Sequence, residues 1–478
     1  MDKQTRYFKD FNERLLIAEE MLPIIGKLYR QKSVVTYLFG KPLVNKTAID
    51  ILKQHRFARQ ILENELSVRE TFPILEEVGN MELGPCRLDL GKLAVKFYSS
   101  GTPLRDFLSK ELEPVLNSSS DVLDKPQDVV LYGFGRIGRL LARILIDKIG
   151  KGDKLRLRAI VVRKGGENDL VKRAALLRRD SVHGQFNGTI LVDEAENAIV
   201  ANGVMIKVIY ASSPDEIDYE KYGIQDAIVI DNTGKWRDME GLSKNLNSKG
   251  VSKVLLTAPG KGDIPNLVYG VNNHEIDNSK RIFSAASCTT NAIVPVLKVI
   301  NDRYGIISGH IETCHSYTND QNLLDNYHKA NRRGRSAPLN MVITETGAAK
   351  AVAKALPELK GKLTGNAIRV PTPNVSLAVL QLVLDKEVTK QDVNMYLRDM
   401  SLNSPLQNQI DYTNSPEVVS SDFVGSRYAC IIDSEATIVD KNKCILYLWY
   451  DNEYGYSNQV VRIVQHLAGV ELKNIPEN

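Results

Sequence analysis

The sequence contains few cysteines, and their spacing argues against two common uses of thiols. Its 478 residues include five cysteines, with no CxxC pair among them: Cys86, Cys288, Cys314, Cys430 and Cys444. Disulfide frameworks need cysteines that pair, and structural zinc sites need closely spaced ligands. This odd, scattered set therefore predicts reduced thiols in a cytoplasmic protein, without a disulfide framework and without a metal site.

Two further absences limit the class of partner. No apolar run approaches the ~18–20 residues needed to cross a bilayer, and the first residues lack the apolar segment of a secretory signal. The 62 basic and 58 acidic side chains nearly cancel, so the net charge indicates no electrostatic surface for nucleic acid or lipid. We therefore expect no nucleic-acid and no membrane partner. The length predicts two or three domains.

Residues 1–125 are predicted to form an all-helical extension. Apolar residues recur at alternating spacings of three and four, which is one face of an amphipathic helix: Phe8, Phe11, Leu15, Ala18, Leu22, Ile25 and Tyr29. Pro23 lies within this stripe and is expected to kink or split the helix. A capping box over Thr47–Asp50 predicts the start of a second helix. A polar stretch over 117–121, before Pro126, is the best predicted linker, and we find no catalytic set of residues in this part.

The pattern changes after the linker. A short apolar strand over 129–132 is followed by a glycine-rich turn and then by a helical run over 140–149; the turn reads Gly133-Phe134-Gly135-Arg136-Ile137-Gly138. GxGxxG alone is weak evidence, but between a strand and a helix it is the fingerprint of dinucleotide binding. The glycines allow a tight turn and let a pyrophosphate approach the helix N-terminus. Residues 126–287 are therefore predicted to be a dinucleotide-binding domain.

The next predicted strand, over 155–162, ends unusually. An acidic residue is expected there to hold the adenosine ribose 2′-hydroxyl, whereas the chain has Arg163 and Lys164. These two residues are either a solvated strand end or a site for the 2′-phosphate of NADP. Both interpretations remain open at this point.

A second stretch places a cysteine at the predicted start of a helix. Cys288 follows the small residues 284–287 and precedes an apolar run over 292–297. Ser, Thr and Asn around it are typical helix caps, and a cysteine among free backbone N–H groups is favoured as thiolate. The alternative is an inert, buried cysteine. Strand-rich segments farther on predict a second domain over 288–451 with a mostly antiparallel sheet, and a helix within 452–478 is expected to complete the dinucleotide-binding domain.

Six motifs in order give the chain a family resemblance. They are Gly133-Phe134-Gly135-Arg136-Ile137-Gly138-Arg139, Ala286-Ser287-Cys288-Thr289-Thr290-Asn291, His315-Ser316-Tyr317-Thr318, Thr346-Gly347-Ala348-Ala349-Lys350, Arg369-Val370-Pro371-Thr372-Pro373-Asn374-Val375 and Trp449-Tyr450-Asp451-Asn452-Glu453. From about Asp128 to Gly469 the chain resembles the phosphorylating glyceraldehyde-3-phosphate dehydrogenases. The resemblance implies an α/β protein, with a Rossmann-type NAD(P)-binding domain and an α+β catalytic domain. Residues 1–125 have no counterpart in the ordinary family member.

The resemblance also implies a reaction and its residues. Cys288 is expected to attack the aldehyde of D-glyceraldehyde 3-phosphate and His315 to act as the base, through a thiohemiacetal and a thioester that inorganic phosphate cleaves to 1,3-bisphosphoglycerate. Thr318 and Arg369 are expected to hold the substrate phosphate. The residues expected around the attacking phosphate are Ser287, Thr289, Arg333, Thr346 and Gly347. The expected cofactor contacts are Gly133, Gly135, Arg136, Ile137, Gly138, Arg163, Thr257, Asn452 and Tyr456.

Cofactor choice and the finer activity are left open by the sequence. NAD-using members often carry a Leu-Pro pair that excludes a 2′-phosphate, and here the aligned pair is Asn326-Tyr327. Together with Arg163 this predicts NADP and/or NAD as cofactor. The alternatives to the leading function are an erythrose-4-phosphate dehydrogenase and a regulatory or scaffolding protein that acts through the helical extension. By resemblance the protein is expected to be a homotetramer.

Overall fold

The structure is a computed structural model that describes residues 2–62, 64–118, 121–277 and 279–477. The chain divides into two compact units. The first comprises Met1–Pro126, Asp147–Lys154 and Gly469–Asn478; the second comprises Gln127–Ile146 and Leu155–Ala468. The chain therefore passes between the two units four times.

The first unit contains several helices, as predicted for the extension. They are α1 (Lys3–Lys32), α2 (Ala48–Phe57), α3 (Arg59–Leu62), α4 (Val68–Gly79), α5 (Leu90–Ser100) and α6 (Leu104–Glu111). The capping box of Thr47 and Asp50 is confirmed, with both reciprocal hydrogen bonds present. Pro23 does not split α1. Burial of Met21 and Ile25 on either side of it stabilises the continuous helix against the lost hydrogen bond.

The extension also contains strands, so the prediction that it is all-α is wrong. They are β1 (Val34–Leu38), β2 (Lys41–Pro42) and β3 (Cys86–Asp89). Together with Lys473–Ile475 from the end of the chain they form a four-stranded sheet, in which β1 and β3 are parallel. Strands this short carry too little alternation to be distinguished from loops, and one edge of the sheet comes from a segment far away in sequence.

The C-terminal strand is expected to stabilise the first unit. Ile475 is 1 % exposed within the core of that unit and pairs with Leu88 of β3. Replacing Ile475 with alanine should lower the free energy of unfolding by about 2–5 kcal/mol, the usual range for deleting a buried aliphatic side chain. Chemical denaturation would measure this, with the exposed Glu477→Ala as the matched control. Equal stability of the two variants would show that this strand does not belong to the core.

The second unit begins with a predominantly parallel sheet. Its strands are β4 (Gln127–Tyr132), β5 (Leu155–Val162), β8 (Ile190–Asp193), β9 (Ala198–Ala201), β10 (Val204–Tyr210), β11 (Ala227–Asp231), β12 (Val251–Leu256) and β13 (Ile282–Ser284), while β6 (Arg179–Asp180) and β7 (Gly184–Gln185) form a separate ribbon. The helices are α7 (Arg136–Asp147), α8 (Asp169–Arg178) and α9 (Met239–Leu246). The sheet order is β13-β12-β11-β4-β5-β10-β9-β8. Since β4, β5, β11 and β12 run parallel, their carboxyl ends share the edge where such sheets bind ligands.

The rest of the second unit carries the other sheet. Its strands are β14 (Ile306–Ser316), β15 (Val342–Thr344), β16 (Leu363–Val370), β17 (Ser376–Leu384), β18 (Ile410–Thr413), β19 (Cys430–Asp433), β20 (Ile438–Asp440) and β21 (Lys443–Tyr450). The helices are α10 (Cys288–Tyr304), α11 (Ala348–Ala355), α12 (Lys390–Asn403) and α13 (Tyr454–Leu467). Among the described strands of this sheet, only the pairs β14–β16 and β18–β19 are parallel, which confirms a mostly antiparallel sheet.

The C-terminal helix α13 occupies part of residues 452–478. α13 ends at Leu467, and Gly469 follows with φ +71°, a conformation that ends a helix. Lys253 Nζ of β12 donates to the Leu467 carbonyl (3.0 Å), so α13 packs on the dinucleotide-binding sheet as expected. The residues beyond it belong to the first unit, where the last strand, β22 (Lys473–Ile475), lies. Within the described residues, no helix combines the length and the apolar character needed to cross a membrane.

Candidate active site

A strained turn presents Cys288 at the start of α10. Ala286 has φ +55°, a left-handed conformation that side chains with a Cβ rarely adopt. Ser287 caps the helix, since its Oγ accepts a hydrogen bond from the Thr290 N–H (3.0 Å). The Asn291 amide donates to the carbonyls of Ala285 (2.8 Å) and Ser287 (2.9 Å). These bonds fix the turn, so the half-buried Cys288 thiol has a defined direction.

His315 of β14 faces that thiol. Its Nε2 lies 3.4 Å from Cys288 Sγ, and its Nδ1 lies 2.7 Å from the Ser316 carbonyl. When Nδ1–H donates to this carbonyl, Nε2 is left as the acceptor that faces the thiol. Arg369 of β16 completes the group: its Nη1 donates to the Ser316 carbonyl (3.0 Å) and lies 2.7 Å from Nδ1. The structure thus brings together Cys288, His315 and Arg369 from three separate motifs.

The pKa shifts of Cys288 and His315 do not favour the thiolate that the sequence predicts. Burial raises the pKa of the Cys288 thiol above its ordinary 9.0, although the charge of Arg369 and hydrogen bonds from Thr289 oppose the shift. Burial and the charge of Arg369 lower the pKa of His315 to about 3, although the hydrogen bond to the Ser316 carbonyl opposes this shift. In both groups desolvation is the largest cause of the pKa shift, and it disfavours the charged form. Transfer of the thiol proton to Nε2 would create an ion pair at close range.

Thr289 belongs to a buried hydroxyl chain that the sequence did not reveal. Its Oγ1 lies 3.0 Å from the Tyr450 hydroxyl, which in turn lies 2.7 Å from Thr313 Oγ1. Tyr450 is 1 % exposed, and its ring meets the edge of the His315 ring at a centroid distance of 6.1 Å. Tyr450 lies in the Trp449–Glu453 motif, which was the available signal. It was missed because adjacency in that motif does not show which residue faces the cysteine.

The other residues predicted to bind phosphate make hydrogen bonds within the protein. Arg333 donates to Asp320 Oδ2 (2.7 Å) and to Thr344 Oγ1 (3.1 Å), and its charge also acts on His315 and Arg369. Thr346 Oγ1 accepts the Ala348 N–H (3.2 Å), and Gly347 stands at the N-cap of α11. The Thr318 carbonyl accepts the Gln321 N–H (2.9 Å) within its own turn. The Ser287 hydroxyl therefore serves as a helix cap and the Thr346 hydroxyl binds the first N–H group of α11, whereas Arg333 and Arg369 supply positive charge near His315.

The glycine-rich turn has the shape that a dinucleotide requires. Gly133 has φ +101°, and a Cβ on Gly138 would lie 2.5 Å from the Gly133 carbonyl oxygen, so both positions need glycine. A Cβ on Gly135 would meet no atom within 4 Å, so this side of the turn is open to a ligand. Helix α7 starts at Arg136, and the N–H groups of Arg136 and Ile137 in its first turn precede the helix's own carbonyl acceptors. The residues present therefore fit a bound pyrophosphate.

At the ribose end of the predicted cofactor site, the Asp169 carboxylate is already paired. Arg163 directly follows β5 and is exposed. Asp169 is an acidic residue that follows this strand end and is 8 % exposed. Its carboxylate accepts hydrogen bonds from the Gly165 N–H (2.8 Å) and from Arg173 Nε (2.5 Å). Its charge is therefore already paired. Tyr327 of the Asn326–Tyr327 pair is 90 % exposed.

The residues predicted for the nicotinamide end lie near the cysteine. Asn452 is 6 % exposed, and its Oδ1 accepts the Ser376 hydroxyl (2.9 Å), which orients the amide. Tyr456 of α13 donates its hydroxyl to the Ala286 carbonyl (3.0 Å), two residues before Cys288. Thr257 donates its hydroxyl to the Asp231 carbonyl (3.1 Å) at the carboxyl edge of the sheet. Ser376, which also accepts the Ser316 N–H (3.1 Å), was not predicted.

Comparison with known proteins agrees with this geometry. Residues 127–239 match the family model "Glyceraldehyde 3-phosphate dehydrogenase, NAD binding domain", and residues 287–452 match "Glyceraldehyde 3-phosphate dehydrogenase, C-terminal domain". A glyceraldehyde-3-phosphate dehydrogenase-like protein of Pseudomonas aeruginosa (strain UCBPP-PA14) is 60 % identical over 460 residues, which cover 95 % of this chain and 100 % of the relative. That match includes most of the extension.

Two further relatives match only the part after the extension. Glyceraldehyde-3-phosphate dehydrogenase 2 of Trichormus variabilis is 41 % identical over 71 % of this chain and 98 % of its own length. The chloroplastic glyceraldehyde-3-phosphate dehydrogenase A of Zea mays is 43 % identical over 71 % of this chain and 82 % of its own length. The chain is therefore a member of the glyceraldehyde-3-phosphate dehydrogenase family, an oxidoreductase with the family's NAD-binding domain and, before it, an extension that these two relatives lack.

Proposed function

We propose that the protein oxidises D-glyceraldehyde 3-phosphate to 1,3-bisphosphoglycerate with NAD or NADP and inorganic phosphate, reversibly. The observation that carries this proposal is the placement of Cys288 Sγ 3.4 Å from His315 Nε2 beside the Arg369 guanidinium. A nucleophile, a base and a cation within one group are the components that phosphorylating oxidation of a charged aldehyde needs. Family membership agrees with it.

Cys288 and His315 carry the covalent steps. Cys288 Sγ attacks the aldehyde carbon while its proton passes to His315 Nε2, and the resulting alkoxide is protonated to a thiohemiacetal. His315 then takes the hydroxyl proton as a hydride leaves the same carbon, which gives a thioester on Cys288. Inorganic phosphate attacks the acyl carbon, the bond to sulfur breaks, and the acyl phosphate leaves. The Cys288 N–H at the start of α10 is placed to stabilise the oxyanion in both halves.

The cofactor, when bound, accepts the hydride. Residues of this chain would hold it at both ends: Arg136 and Ile137 through backbone N–H groups, and Asn452 and Tyr456 beside the cysteine. Arg369 would hold the substrate phosphate, and Arg333 the attacking one. Two guanidinium groups whose charges act on His315 favour the phosphorylating reaction over that of an erythrose-4-phosphate dehydrogenase, which does not rely on attacking phosphate. The assembled catalytic pair favours an enzyme over a purely scaffolding protein.

We also propose that the protein is a homotetramer. The supporting observation is the segment over 323–341, in which five large apolar side chains are between 72 % and 90 % exposed: Leu323, Leu324, Tyr327, Leu339 and Met341. Exposed apolar side chains grouped in one segment are typical of subunit contacts. Mass measurement in solution by light scattering tests the number of subunits.

The reaction itself is tested by following cofactor reduction with glyceraldehyde 3-phosphate, with NAD and with NADP, in the presence and absence of phosphate. The proposal expects sustained turnover only with phosphate present. Turnover that is equally fast without phosphate would favour hydrolysis of the thioester, and no turnover with either cofactor would overturn the proposal.

Arg369 is expected to make the enzyme prefer glyceraldehyde 3-phosphate over phosphate-free glyceraldehyde. Replacing it with alanine removes charge-assisted bonds worth ~1.5–3 kcal/mol each, so KM for glyceraldehyde 3-phosphate should rise roughly ten- to a hundredfold. KM for phosphate-free glyceraldehyde should change much less, although kcat for both substrates should respond because Arg369 also contacts His315. The exposed Arg332→Ala is the matched control. Equal KM changes for the two aldehydes would make Arg369 structural.

A further inference from the structure

A buried histidine outside the reacting group is surrounded by carboxylates. The His183 side chain is 5 % exposed; its Nε2 lies 3.3 Å from Asp451 Oδ2, and its Nδ1 lies 3.5 Å from Asp180 Oδ1 and 3.7 Å from Glu453 Oε2. The ring also packs on that of Tyr454, with centroids 5.9 Å apart. Nδ1 has no hydrogen-bond partner at normal distance among the described residues. A neutral ring would leave these three carboxylates with one fewer counter-charge in a buried place.

The remaining charges around this carboxylate cluster are three arginines from α7. Arg136 donates to both Glu453 and Asp180, Arg139 lies 3.9 Å from Asp180, and Arg143 donates to the Gly184 carbonyl (3.0 Å). Neutral partners of His183 are Tyr454 and the Asn374 amide, which lies 3.3 Å from Nε2.

The carboxylates nearest to the ring favour its protonated form. Burial alone would lower the pKa of His183, but the hydrogen bond to Asp451 and the charges of Asp451, Glu453 and Asp180 raise it above the ordinary 6.5. The imidazolium is therefore present at low pH and is lost as the pH rises through this raised value.

The cluster connects two parts of the proposed cofactor site. Asp451 and Glu453 flank Asn452, the residue assigned to the nicotinamide amide. Asp451 also caps the start of α13 by accepting the N–H groups of Glu453 (3.0 Å) and Tyr454 (2.7 Å). Asp180 and Glu453 hold the side chain of Arg136, whose N–H is assigned to the pyrophosphate. Loss of the charge on His183 would therefore loosen both contacts together.

We propose that protonated His183 is a positioning residue for the cofactor, holding Asn452 and the first turn of α7 in the geometry that binds a dinucleotide. This inference rests on the proposed function, because it uses the cofactor contacts assigned there. His183 does not touch the reacting atoms. Its effect is on cofactor affinity and on the pH dependence of that affinity, rather than on the chemical step.

The first test uses the Cys288→Ser variant, so that the reacting thiol does not titrate. Dissociation constants for NAD and NADP are measured by calorimetry across pH 6–9 in two buffers of different ionisation enthalpy. The proposal expects affinity to fall as the pH rises and protons to be taken up on binding, because a ligand that prefers the protonated form must raise the proton affinity of His183 in return. Tight, pH-independent binding without proton uptake would overturn the inference and leave the proposed function intact. Absence of any cofactor binding would overturn the proposed function as well.

Variants at His183 test whether this residue causes the pH dependence of cofactor affinity. His183→Gln should bind cofactor about tenfold or more weakly at pH 6.5, with a flat pH profile, since a charged hydrogen bond is lost. His183→Lys keeps the charge and should bind with an affinity that does not fall up to pH 9. His310→Gln, at a histidine that bonds Thr364 and Asn366, should match the parent protein. An unchanged profile in folded His183→Gln overturns the proposal; if that variant does not fold, an affinity of His183→Lys that still falls with pH overturns it instead.

Discussion

Replacing Cys288 with serine is expected to abolish aldehyde oxidation, by a factor of more than about 10³, while the fold and cofactor binding remain. An alcohol is a far weaker nucleophile than a thiol at neutral pH, and loss of a nucleophile costs activity on this order or more. The structure adds a reason. His315 Nε2 lies 3.4 Å from Cys288 Sγ, where it can accept a thiol proton. A serine hydroxyl would give up its proton less readily, because the pKa of an alcohol is several units above that of a thiol. Steady-state reduction of NAD or NADP measures the loss, and calorimetry measures the retained binding.

Cys314→Ser is the matched control for this experiment. Cys314 directly precedes His315 on β14, and neighbouring residues on a strand face opposite sides of the sheet. Its thiol therefore points away from the side on which His315 meets Cys288, so activity should be nearly unchanged. A loss equal to that of Cys288→Ser would mean that the wrong thiol has been assigned.

The protein is expected to use NADP at least as well as NAD. A carboxylate at the ribose binds the 2′-hydroxyl and repels a 2′-phosphate, whereas a guanidinium does the reverse. Arg163 is exposed directly after β5, and Asp169, which could have supplied the missing acid, is occupied by Arg173 and the Gly165 N–H. The ratio of kcat/KM values for the two cofactors measures the preference. A native preference for NAD of a hundredfold, about 2.7 kcal/mol, would contradict this assignment.

Substitutions at the strand end sharpen the cofactor test. Arg163→Asp should shift the preference towards NAD, because it replaces a cation with a carboxylate at an exposed position. Val162 is 8 % exposed, so a carboxylate placed there would be buried and its effect on stability would confuse the result. Arg163→Gln separates the two causes, since it removes the attraction for phosphate without adding repulsion. If both variants keep the native ratio, Arg163 does not face the ribose.

Sequence patterns predicted the second unit better than the first. The motif that ends in Cys288 and the Gly133–Gly138 turn each carry their geometry locally, through helix caps and glycine conformations, so a short stretch is sufficient to recognise them. The sheet of the first unit depends on pairing between β3 and a strand almost four hundred positions later. Local periodicity contains no information about such a pairing, and for this reason the extension was predicted to be all-α.

The candidate site shows the same limit at the level of side chains. The sequence singled out Cys288 and His315 as a pair and Arg369 separately, and the fold brings all three together. Tyr450, Ser376 and His183 were found only in the folded structure. The expected thiolate was wrong in direction because the pKa of Cys288 depends on how much water the fold removes from it. Burial is a property of the packed structure, and the residues next to Cys288 in the chain do not determine it.

The four passages of the chain between its units bear on the order in which the protein can fold. Ribosomes make β3 long before β22, which pairs with it and lies almost four hundred residues later in the chain. At a synthesis rate of ~5–20 residues per second, the edge of β3 remains unpaired for a time on the order of tens of seconds. During that interval it presents unpaired backbone groups and the apolar surface that Ile475 later covers. The extension therefore completes its sheet only after the dinucleotide-binding and catalytic parts of the chain have been synthesised.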